Sequence, residues 1–154
     1  MKTFSCEINK VPVTAILDSG ANCNIIGESI AKIVGLKIDN TSDTEIYSLI
    51  SELNILGIIR TMEMSVLSQD RKWEQVEVSD VFITNKSELE SILILGQPWF
   101  QENAMKVDFP NKTLTLLDGT EIQLVIGSKI PPPTQLNQSV DDYFKMIKVY
   151  ATAT

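Results

Sequence analysis

Ala15-Ile16-Leu17-Asp18-Ser19-Gly20-Ala21, with Ile25-Ile26 close behind, sets a single carboxylate at the end of an apolar run, beside a small hydroxyl residue, a glycine and an alanine. This is how a β-strand brings a carboxylate out of a core into a cleft. The glycine permits a sharp turn, and nothing bulky obstructs the approach of another chain. Taken alone, Asp18 would read as a turn carboxylate capping nearby amides, as Asp before Gly often does. Asp-Ser-Gly occurs once in the chain. Chemistry needing two carboxylates at one site must therefore draw the second from another copy.

The composition narrows the chemistry further. The 154 residues suffice for one domain with a real core. A hydrophobic fraction of 44% and a charged fraction of 21% describe an ordinary globular chain. A net charge of −7 without a long basic run argues against a nucleic-acid surface. The absence of histidine removes Ser-His-Asp and Cys-His catalysis, histidine–zinc sites and histidine proton shuttles. Acid–base work then falls to carboxylates, Lys, Tyr or Cys. Cys6 and Cys23 are too few for a disulfide scaffold, which points to a reducing compartment. Without a histidine partner, Cys23 reads as a small apolar wall residue. Residues 1–7 lack the apolar core of a signal peptide, and no stretch approaches bilayer length. A cytoplasmic protein with no membrane or nucleic-acid partner is expected.

Short strands dominate the reading along the chain. Residues 4–8 and 11–17 form two strands around an Asn9-Lys10 turn, and the second delivers Asp18. A short helix over residues 28–34 ends at Gly35. Strands are expected at 45–50, 55–67 and 73–84, with Ser51, Glu52, Leu53 and Asn54 as a hairpin tip. Ile92-Leu93-Ile94-Leu95 is an apolar strand stopped by Gly96, and Pro98 suits the first turn of a helix beyond it. Asp118-Gly119 between alternating segments predicts a type I′ hairpin turn. Asp108, before Phe109-Pro110, reads as a turn residue and not as a second catalytic acid. Pro131-Pro132-Pro133 stiffens a linker, and Ser139 opens a helix to about Val149. The expected division is a mainly β domain over 1–127 and a linker with a short helix over 128–154. An apolar strand ending at a glycine-containing turn thus occurs twice, at Leu17-Asp18-Ser19-Gly20 and Ile94-Leu95-Gly96.

Those two blocks carry a resemblance. Asp18-Ser19-Gly20-Ala21 with Ile25-Ile26, followed by Ile92-Leu93-Ile94-Leu95-Gly96-Gln97-Pro98-Trp99-Phe100, is similar to the retropepsins. The Leu-Gly-x-x-Trp-aromatic form, with Val107-Asp108-Phe109 and a closing hairpin, most resembles the polyprotein proteases of gypsy-type LTR retrotransposons and plant pararetroviruses. The likeness covers about residues 4–126. It implies a single-lobed acid-protease fold, mainly β, with a closed sheet core and one or two short helices, active as a homodimer. It implies an aspartic endopeptidase acting on a retroelement polyprotein, in the cytoplasm within a virus-like particle, with no cofactor or metal.

By the same resemblance Asp18 is the catalytic acid. Ser19 bonds across the dimer beneath the dyad, Gly20 presents its carbonyl to substrate and Ala21 lines the cleft. Ile16, Asn22, Ile25, Ile92 and Ile94 contact substrate, and Ser51 to Asn54 form the flap that closes over the peptide. Trp99 and Phe100 read as core. Many retroviral members carry an acid where Asn22 stands, paired with an Arg where Gln97 stands. Amides at both places imply a less firmly anchored dimer. Two other functions stay open: a domesticated, inactive retropepsin serving as a dimerisation or peptide-binding module, and the retropepsin-like domain of ubiquitin-shuttle proteins.

Overall fold

The structure is a computed structural model that describes residues 1–39 and 55–126. The strand expected at 45–50, the hairpin tip at 51–54 and the linker and helix beyond residue 127 lie outside the described residues.

Alternation builds the first hairpin. In β1 (Lys2–Ile8) and β2 (Val11–Leu17), Phe4, Cys6 and Ile8 face the core together with Val13, Ala15 and Leu17. Ile8 pairs with Val11, so the loop is only Asn9-Lys10, and both residues have positive φ (50° and 68°). That is a type I′ turn, whose twist matches the flanking strands. The Asn9 side chain also donates to the Val34 carbonyl at 2.6 Å, tying the turn to the end of α1 (Glu28–Ile33). Gly35 ends that helix as expected: its N–H donates to Lys32 and the Leu36 N–H to Ala31, the paired bonds of a Schellman cap.

The remaining elements are β3 (Asn24–Gly27), β4 (Ile55–Leu67), β5 (Trp73–Thr84), a 3-10 turn (Ser87–Leu89), β6 (Ile92–Leu95), α2 (Gln97–Asn103), β7 (Ala104–Asp108), β8 (Thr113–Leu116), β9 (Glu121–Gln123) and β10 (Val125–Ile126). Strands run in the order β1-β2-β6-β3-β5-β4, and β4 returns to β1 through Cys6–Val66 and Glu7–Ser65. Six strands therefore close into a barrel, with β10 added beside the start of β1 and β7-β8-β9 as a separate sheet. The two similar strand ends of the sequence meet here: β2 and β6 lie parallel, with Leu17 beside Leu95.

The long β4–β5 hairpin changes phase midway. Met62, Met64 and Val66 face the core on one side of Arg60, and Ile59 on the other; across the ladder Val76 and Val78 are followed by Val81 and Ile83. Asp80, at φ 53°, marks the change, and Arg60 reaches its carboxylate at 3.3 Å. Beyond that twist, residues 81–84 pair with β3.

Trp99 pins α2 to the barrel. Its ring is fully buried, 6.4 Å from Phe4 and edge-on to Phe100 at 5.8 Å. At about 25 cal/mol per Å², burying a ring of this size contributes on the order of 4 kcal/mol. The hairpin at Asp118-Gly119 exists, but its turn differs from the expected one. Leu116 pairs with Thr120 around three residues, and only Gly119 has positive φ (89°). A type I′ turn needs positive φ at both central residues; here Asp118 does not have one, and Gly119 closes a three-residue loop.

Candidate active site

Asp18 leaves the last rung of the β2–β6 ladder. Its N–H donates to the Leu95 carbonyl at 3.0 Å, and its own carbonyl accepts the Ala21 N–H at 3.0 Å, closing a four-residue turn. Within the turn, Oδ1 accepts the Gly20 N–H at 3.1 Å. The carboxylate is therefore held by its own loop, an Asx turn. Gly20 lies inside this turn, as the sequence suggested, with a φ outside the left-handed region, which among the described glycines only Gly35 and Gly119 occupy. Asp18 is nearly buried, whereas Ser19, Gly20 and Asn22 are exposed and Ala21 is fully buried.

The second block is clamped to the first. The Gln97 N–H donates to the Ala21 carbonyl at 2.7 Å. A Cβ on Gly96 would lie 2.3 Å from the Cys23 carbonyl oxygen and 2.8 Å from that of Ala21. Only a glycine lets the two loops approach this closely. The Gly96 N–H donates to Oδ1 of Asn24 at 2.8 Å, and Nδ2 of Asn24 donates to the Ser79 carbonyl at 3.0 Å. Sequence reasoning passed over Asn24. Its signal was a lone amide inside the apolar run Cys23-Asn24-Ile25-Ile26, where a buried polar group needs partners.

The four isoleucines expected to meet substrate fall on one face. Ile94 pairs with Ile16 on one side and with Ile25 on the other, so the three side chains form a row across β2, β6 and β3. Ile92 precedes Ile94 by two and shares its face. Their neighbours Ala15, Leu17, Leu93, Leu95 and Ile26 point the other way, into the barrel core. All four isoleucines are at most 4% exposed, so they make a second apolar layer behind the Asp18 turn.

Other groups drop out as reactive centres. Burial pushes the thiols of Cys6 and Cys23 up to about 12, helped at Cys6 by the charge of Glu7. Both stay protonated at neutral pH, when a nucleophile or ligand would need the thiolate. Side-chain and backbone bonds from Asn111 hold the Asp108 carboxyl below its usual value. Bonds from Thr120 do the same for Asp118. Each closes a β-turn, as the sequence suggested. The flap residues Ser51, Glu52, Leu53 and Asn54 lie outside the described residues.

A closed, six-stranded barrel with two short helices is the fold of the retropepsin-like domains. It is similar to the crystal structure of the retroviral protease-like domain of Ddi1 from Leishmania major, with a TM-score of 0.61 and 22% identity over 85% of this chain and 95% of that one. A search among curated proteins gave no match. The profile of the aspartyl protease family matches residues 4–99, which run from β1 through the Asp18 turn to Trp99, and the chain belongs to that family.

Proposed function

We propose that the chain is an aspartic endopeptidase that works as a homodimer, each protomer giving one Asp18 to a shared dyad. The observation that carries this reading is the Asp18 turn itself: a single Asp-Ser-Gly, its backbone bonded to Leu95 and one carboxylate oxygen held by Gly20. Two carboxylates facing each other cannot both ionise cheaply, so the pair shares a proton. The ionised member takes a proton from water as the oxygen attacks the scissile carbonyl. The protonated member donates to the carbonyl oxygen, and the proton gained from water later goes to the departing amine. Activity is highest in mildly acid solution and fades as the second carboxyl ionises.

On this reading Ser19 bonds across the dimer beneath the dyad and Gly20 offers its carbonyl to the substrate main chain. Ala21 backs the cleft. Asn22 meets the substrate at its rim, and Ile16, Ile25, Ile92 and Ile94 form pocket walls when the site opens. The segment from Ser51 to Asn54 serves as the flap, adding strand-like hydrogen bonds to an extended peptide. The proposed catalytic domain is residues 1–127.

The substrate class proposed is a retroelement polyprotein, cleaved in the cytoplasm inside a particle, on the strength of the Gln97-Pro98-Trp99-Phe100 block after Gly96. A cellular peptidase of the ubiquitin-shuttle kind is the second reading, favoured by the fold likeness to the Ddi1 domain. An inactive binding module is disfavoured, because such a copy has no reason to keep a carboxylate at a crowded symmetric contact.

The test is incubation of the purified chain at about pH 4–7 with a polyprotein-junction peptide and, in parallel, with ubiquitin chains. Cleavage is expected in the wild type, and Asp18→Asn should lower its rate by about 10²–10⁴-fold or more. Cleavage of the ubiquitin chains alone would shift the substrate to the second reading. Equal rates in wild type and Asp18→Asn would remove the enzyme reading.

A further inference from the structure

Asn24 is the one polar side chain in an apolar strand, 2% exposed, and both ends of its amide are used. Its bond to Gly96 acts on a peptide group that also touches the candidate catalytic acid. The N–H of the Leu95–Gly96 peptide donates to Asn24, while the carbonyl of the same peptide accepts the Asp18 N–H. A peptide group is planar, so fixing the direction of its N–H fixes that of its carbonyl. The donation from Nδ2 to the Ser79 carbonyl of β5 in turn keeps the Asn24 amide from flipping. One residue further on, the Gln97 N–H holds the Ala21 carbonyl. The Asp18–Ala21 turn thus hangs from the end of β6 by two backbone bonds, one to the peptide that Asn24 orients and one to the next peptide along.

We propose that Asn24 is a positioning residue for Asp18, setting the direction of the Leu95 carbonyl that anchors the Asp18 backbone and so the aim of its carboxylate toward the dimer axis. This rests on the reading of Asp18 as the catalytic acid. Displacement of a reacting group by an ångström is enough to slow catalysis on the order of 100-fold. Asn24→Ala therefore lowers kcat by roughly 10–100-fold and leaves KM within about threefold, because the isoleucine layer is untouched.

The experiment pairs steady-state kinetics on the full chain with amide hydrogen exchange by NMR. In Asn24→Ala, protection of the Asp18 and Gly96 amides should drop at least about tenfold, while amides of the β4–β5 ladder around Met64 keep theirs. Asn24→Leu, which preserves the volume, carries the same expectation and serves if the alanine variant does not fold. Asn24→Asp, assayed in acid where a desolvated carboxyl is protonated, both accepts and donates, and should restore most of kcat and of the protection. Asp18-dependent activity unchanged in kcat, or protection lost evenly across the barrel, would overturn the proposal alone. Wild-type activity that survives Asp18→Asn would overturn the catalytic reading and the positioning role with it.

Discussion

Gly96→Ala is expected to destabilise the chain by about 3 kcal/mol or more and to abolish peptidase activity. The added methyl would sit 2.3 Å from the Cys23 carbonyl oxygen, 2.8 Å from that of Ala21 and 2.9 Å from the Cys23 carbonyl carbon. All three are backbone atoms, and none can swing away as the end of a flexible side chain would. Ala21 cannot retreat without stretching its bond from Gln97, and Gly96 cannot retreat without leaving Asn24. Each broken bond would leave a buried amide or carbonyl unsatisfied, at about 1–3 kcal/mol apiece. The loss is a large share of the 5–15 kcal/mol that typically holds a domain. Urea denaturation followed by fluorescence of Trp99 and Trp73 measures it. A variant that keeps the wild-type midpoint would mean that the two loops are not in contact as described.

Activity per chain is expected to fall on dilution, by about tenfold for each tenfold step below the dimer dissociation constant. The physical reason lies in Asn22 and Gln97. Both are exposed beside the Asp18 turn, at the places where many retroviral members carry an acid and an arginine. Hydrogen bonds between neutral amides are roughly half as strong as charge-assisted ones, and amides lack the bidentate fork of an arginine. In the proposed homodimer these amides therefore anchor the two subunits less firmly. Progress curves over a dilution series, matched with gel filtration at the same concentrations, follow the effect. A dimer that persists at nanomolar concentration with constant activity per chain would contradict it.

Much of the barrel was legible from local pattern because the pattern is local. Residues 55–67 and 73–84 were read as strands with the bounds they have, and the Asn9-Lys10 turn and the Gly35 cap were read in place. What escaped depends on partners distant in sequence. β3 has four residues and no alternation, since both its faces are buried, and it exists through pairing with β5 and β6 some 57 and 67 residues later, as Asn24–Val81 and Ile26–Leu93 show. The two-residue β10 was missed for the same reason, since it pairs with β1 at the other end of the chain; β7 pairs nearby with β8, but its half-exposed, bulged strand carries no alternation to read. The Asp118-Gly119 dipeptide marks a hairpin but does not distinguish a two-residue loop from a three-residue one, and the pairing of Leu116 with Thr120 decided it.

The site divides along the same line. Asp18-Ser19-Gly20 was found because the motif is contiguous, and its turn is closed by its own atoms. The roles of Gly96 and Asn24 emerge only when β6 is laid between β2 and β3, which brings residues 72 apart into hydrogen-bond contact. The isoleucine row became a row for the same reason: alternation placed Ile92 and Ile94 together, but the sheet register added Ile16 and Ile25.

Subunit mixing gives the sharpest reading of where the second carboxylate comes from. Wild-type chain is combined with about nine parts of Asp18→Asn at a concentration well above the dissociation constant, allowed to re-pair, and assayed for peptide cleavage. If every centre needs an intact aspartate from both protomers, only about one wild-type chain in ten finds a competent partner, and cleavage drops to about one-tenth of the unmixed rate. Cleavage that stays at the unmixed rate, with exchange of subunits demonstrated, would mean that a single Asp18 suffices and that no dyad spans two chains.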